Sequence, residues 1–66
     1  MNWEILTIIR TKLTRYAHVT GMQCSFKTGI DYHVFSSALD ALSQAGWVES
    51  CGINRDGMHQ YRLAVS

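Results

Sequence analysis

The sequence predicts a single α+β domain in which three helices precede a C-terminal β-hairpin. Three observations carry that expectation. Apolar residues recur at helical spacing in Ile5, Leu6, Ile9 and Leu13, and again in Phe35, Ala38, Leu39 and Leu42. Two strand-like runs, "WVESCGI" and "MHQYRLAV", flank a loop that contains Asp56-Gly57. Gly46 stands between the last helical pattern and the first of these runs, where a left-handed residue ends a helix without a side-chain clash.

The first helix is expected over Asn2 to Thr14, with the Asn2 side chain accepting from an otherwise orphan first-turn amide. Trp3 and Ile8 widen its apolar stripe, and Glu4, Arg10, Lys12 and Arg15 occupy the rest. That stripe is read as facing the core, with a dimer surface as its second use. The segment "YAHVTGMQCSFKTGI" is less periodic; it reads as a short extended piece, a second helix over 20–26, and a turn through Lys27-Thr28-Gly29. Asp31 caps a third helix over 32–45, whose outward positions are Tyr32, His33, Ser36, Ser37, Asp40, Ser43 and Gln44.

The hairpin is expected to pair 47–53 with 58–65. Pairing Ile53 with Met58 sets Glu49 opposite Arg62 and Trp47 opposite Ala64, an opposite-charge match that makes Arg62 structural. Val48, Tyr61, Leu63 and Val65 then share the core face, and Trp47, directly after the helix stop, reads as core.

Composition narrows the classes. A chain of 66 residues makes one domain with a small core, so self-association or a partner is expected to help stabilise it. Apolar residues make up 47% and charged residues 17%, a globular balance that excludes disorder. No run reaches the length of a membrane span, and Glu4 interrupts what would be a signal-peptide core, so the chain is expected in the cytoplasm. Cys24 and Cys51 lack CxxC spacing and read as free thiols.

The residues "LDALSQAGWVES…NRDGMHQYRL" resemble the third helix and wing of winged helix-turn-helix domains: a leucine-spaced helix, a glycine followed by an aromatic, a strand, a charged turn with glycine, and a Tyr-Arg-Leu close. The resemblance covers Asp31 to Val65 and extends to the first half through element order; the compactness is similar to small bacterial or phage regulators. It implies transcription regulation by double-stranded DNA binding, with the third helix in the major groove and the wing on the backbone. By position, His33, Ser36 and Ser37 would read base edges, with Tyr32 nearby, Arg55 at the wing tip and Lys27 as a phosphate clamp before the helix. Serine and histidine can hydrogen-bond base edges, and arginine or lysine neutralises phosphate. Arg10, Lys12 and Arg15 would flank these contacts if they share the DNA side.

Two features weigh on the other side. The third helix holds Asp40 and no lysine or arginine, and the formal net charge is only +1. Such a domain is expected to bind DNA as a homodimer or cooperatively. Alternatively it serves as a protein-interaction module, presenting Tyr32, His33 and Met58 to a protein partner. A metal or redox centre from Cys24, Cys51, His18, His33 and His59 has no local ligand pair behind it, so no cofactor is expected. An enzyme with a small-molecule substrate is not expected either: "GMQCSFKTG" lacks the phosphate-cradling order, and no nucleophile-and-base spacing stands out.

Overall fold

The structure is a computed structural model and describes residues 2–64. In chain order it contains α1 (Trp3–Arg15), α2 (Gly21–Ser25), α3 (Tyr32–Gln44), β1 (Val48–Ile53) and β2 (His59–Leu63). This is the α+β layout of a helix-turn-helix with a C-terminal wing. The expected elements are all present, with ends moved by one or two residues because capping residues stand just outside the helices.

Each helix starts on a side-chain cap. The amide of Glu4 donates to Asn2 Oδ1 at 2.8 Å, and that of His33 donates to Asp31 Oδ1 at 2.8 Å. At α2 the capping is reciprocal: the Gln23 amide donates to Thr20 Oγ1 at 3.1 Å, while Gln23 Oε1 accepts from the Thr20 amide at 2.9 Å. Two satisfied amides allow a helix of only 5 residues to hold its first turn. The turn that follows is closed by Thr28, whose hydroxyl donates to the Ser25 carbonyl at 2.7 Å and accepts from the Ile30 amide at 3.0 Å. Lys27 adopts φ 62°, a left-handed conformation uncommon for a residue with a side chain.

The core draws one line from each helix. Ile5, Ile9 and Leu13 of α1 meet Phe35, Ala38 and Leu39 of α3 above Cys24, and Val19, Val48 and Tyr61 close the cluster. Val19 is tied to Tyr61 by two backbone hydrogen bonds of 2.8 Å, one in each direction. The extended piece between α1 and α2 thereby becomes a third rung beside the hairpin and fixes the wing against the helices.

The hairpin register departs from the simple count. Val48 pairs with Leu63, Glu49 with Arg62 and Ser50 with Tyr61, but beyond the bulge at Cys51 the partners become Gly52 with Gln60 and Ile53 with His59. The expected Glu49–Arg62 match holds, with Arg62 Nε donating to Glu49 Oε1 at 2.6 Å. The expected Ile53–Met58 pair does not form, because the extra residue shifts the register by one. Val48 and Tyr61 are buried as expected, whereas Leu63 is 53% exposed and Val65 lies outside the described residues. Trp47, read as core, is 71% exposed: its carbonyl accepts from the Ala64 amide at 3.1 Å, but its ring has no layer above it.

Candidate nucleic-acid interface

The outer face of α3 opposes the line of Phe35 and Leu39, and carries His33, Ser37, Asp40 and Gln44, all placed away from the core. Val34 and Ala41 are also exposed there, an apolar element that helical periodicity did not single out. Gln44 Nε2 donates to Asp40 Oδ2 at 3.0 Å across one helical turn. Near the N-terminus of α3, His33 Nδ1 lies 2.9 Å from Asp31 Oδ1, and the His33 ring leans on that of Tyr32 with centroids 4.1 Å apart. Hydrogen bonds from the His33 backbone amide first, and then its ring, hold the Asp31 carboxyl below the ordinary carboxylate range. Tyr32 itself is half-buried.

Ser36 and Ser37, adjacent in sequence, serve different surfaces. Ser37 faces outward, while Ser36 is placed where α2 crosses α3. Gly21 permits that crossing: a Cβ built on it would sit 2.9 Å from the Ser36 backbone nitrogen, too close for any side chain. Ser36 also lines a cleft of about 220 Å³ with Gly21, Gly57, Met58, His59 and Tyr61, so it stands between α3 and the wing.

The wing tip is organised by Asn54, a residue that strand and turn patterning marked only as part of the loop. Its Oδ1 accepts from the amides of Asp56 at 3.0 Å and Met58 at 2.9 Å, and its backbone bonds to Met58 and Gly57. An asparagine two residues before an amide that needs a partner is the signal for this turn. Arg55, held at the apex between these bonds, is exposed.

α3 itself carries no lysine or arginine. Among the described residues the ion pairs are His33–Asp31 and Arg62–Glu49, so neither Lys27 nor Arg55 is in one. Lys27 Nζ lies 5.4 Å from the ring centroid of its neighbour Phe26. Arg10 lines an apolar groove with Trp3 and Trp47, and Lys12 lies near enough to Cys24 to influence its thiol. Lys27 lies in the turn that leads into α3 and Arg55 at the tip of the hairpin, whereas Arg10 lies on α1.

Cys24 and Cys51 are both free thiols. Among the described residues no cluster of three or more histidine, cysteine or acidic side chains is arranged to hold a metal ion, and no helix is long and apolar enough to cross a membrane. Comparison with protein-family models, curated proteins and solved structures finds no match.

Proposed function

We propose that the protein binds double-stranded DNA and regulates transcription, with α3 in the major groove and the wing on the backbone. The observation that carries this reading is the polar, exposed outer side of α3 together with two exposed cations free of carboxylate partners among the described residues, Lys27 in the turn before α3 and Arg55 at the wing tip. His33 and Ser37 reach base edges, with Tyr32 supporting the histidine ring. Ser36, on the cleft between α3 and the wing, meets the sugar-phosphate chain that enters there. Lys27 and Arg55 neutralise phosphates. A single domain supplies few such contacts, so occupancy of adjacent half-sites by two protomers strengthens binding.

The test is a salt series of binding to random duplex DNA. Lys27→Ala and Arg55→Ala are each expected to reduce the slope of log affinity against log salt by about 1, the signature of one lost phosphate contact. His33→Ala and Ser37→Ala are expected to relax sequence preference and leave the slope unchanged.

A second reading, a winged-helix module that contacts protein and not DNA, is favoured by Asp40 on the centre of the α3 face beside exposed Val34 and Ala41. Absence of duplex binding at low salt would select it.

A further inference from the structure

Asp40 is the one acid on α3, and it stands on the exposed stripe of that helix. His33, Ser37, Asp40 and Gln44 follow one another at steps of four, three and four residues, a spacing that keeps them on one side of the helix, and all four are exposed. At about 1.5 Å of rise per residue, Asp40 stands roughly 10 Å along the axis from His33, about three base-pair steps of roughly 3.4 Å. The two side chains are therefore spaced for different base pairs.

The carboxylate is engaged at one oxygen and open at the other. Gln44 Nε2 donates to Asp40 Oδ2 at 3.0 Å across one turn. Among the described residues no cation pairs with Asp40 and no second donor reaches it, so Oδ1 keeps its lone pairs for an outside donor. In a groove walled by phosphates an acid is repelled from the backbone, and a donor on a base edge is what offsets that cost. The major-groove edge of guanine offers two acceptors, and that of thymine an acceptor beside a methyl group. Adenine sets its amino group next to the acceptor N7, which repels a carboxylate. Cytosine alone presents an amino donor with no acceptor on its own edge.

We propose that Asp40 is a specificity-determining residue that accepts a hydrogen bond from the N4 amino group of a cytosine in the major groove. The inference rests on the DNA reading and names one base that α3 selects. Guanine and thymine are rejected at that position because their acceptors would face the carboxylate. An acid that weakens binding to duplex DNA in general thereby separates a cognate site from the many competing sequences.

Selection of bound duplexes from a pool with a randomised centre, made with wild type and with Asp40→Asn, tests it; the position is exposed, and circular dichroism checks that the variant folds. The wild type is expected to fix cytosine at one position. Asparagine presents a donor beside an acceptor, the match for adenine N6 and N7, so Asp40→Asn is expected to move that position to adenine and leave the others as they were. On single duplexes the wild type is expected to prefer cytosine over guanine there by about 10-fold, and Asp40→Ala to lose the preference. His33→Ala is expected to relax a different position. Identical sites from wild type and Asp40→Asn, or binding to every duplex strengthened by one common factor, would show that the acid only repels phosphate; either result overturns the proposal and leaves the DNA reading standing. A wild type that binds no duplex at low salt overturns both.

Discussion

Gly21 and Ser36 bring α2 and α3 closer than any side chain at position 21 would allow. A Cβ at that position would lie 2.9 Å from the Ser36 nitrogen, a backbone atom that cannot swing aside as the end of a flexible side chain can. Gly21→Ala therefore forces the helices apart despite alanine's better helix propensity, and is expected to lower stability by about 1–3 kcal/mol in urea denaturation. An unchanged midpoint would mean that the crossing has slack.

Asn54 organises the turn that carries Arg55. Asn54→Ala removes the acceptor of two loop amides and is expected to speed hydrogen exchange at Asp56 and Met58 while leaving helix amides unaffected. If Arg55 acts on a phosphate, the same variant weakens DNA binding nearly as much as Arg55→Ala, through disorder and not through lost charge.

Asp31 couples the start of α3 to pH. Its folded-state value lies below the ordinary one, so its stabilising share is present above the ordinary carboxylate range and is lost as pH falls through the lower folded value. Asp31→Asn retains a capping oxygen but does not titrate. The difference in melting temperature between wild type and this variant is expected to shrink below about pH 4. A constant difference down to strong acid would show that the His33 contacts do not favour the carboxylate.

Cys24 and Cys51 are expected to react on different schedules. Burial pushes the Cys24 thiol up to about 11, an effect that nearby Lys12 only partly offsets. Cys51 is half-buried on the hairpin, its thiol 3.5 Å from the Gln60 carbonyl. A thiol reagent at pH 8 should label Cys51 in the native protein and Cys24 only as the domain unfolds. Equal rates would reveal local opening around α2.

The sequence made the periodic parts of this molecule readable and left the coverage of its surfaces unreadable. Ile5, Ile9, Phe35 and Leu39 announce which side of each helix is buried because a repeat near 3.6 admits one buried side. Glu49 and Arg62 likewise announced their pairing. Trp47 did not announce its exposure, because nothing local says whether the base of a hairpin has a layer above it. Nor did neighbouring Ser36 and Ser37 reveal that one faces α2 and the wing while the other faces outward, since that depends on the Gly21 crossing, a contact distant in sequence. For the same reason Lys27 and Arg55 were nameable as cations, but their lack of a carboxylate partner among the described residues is a property of the fold.

The bulge at Cys51 makes the wing sensitive to length where it is tolerant of composition. In a two-residue repeat, one additional position reverses parity, so the base of the ribbon, where Val48 is buried, and its tip, where Ile53 is exposed, run out of phase. Replacing Cys51 by another residue preserves that phase, whereas deleting it rotates the tip relative to α3 with every remaining side chain unchanged. The aim of Arg55 is thus stored as a number of residues, and insertions or deletions in β1, more than substitutions, are the changes that would redirect it.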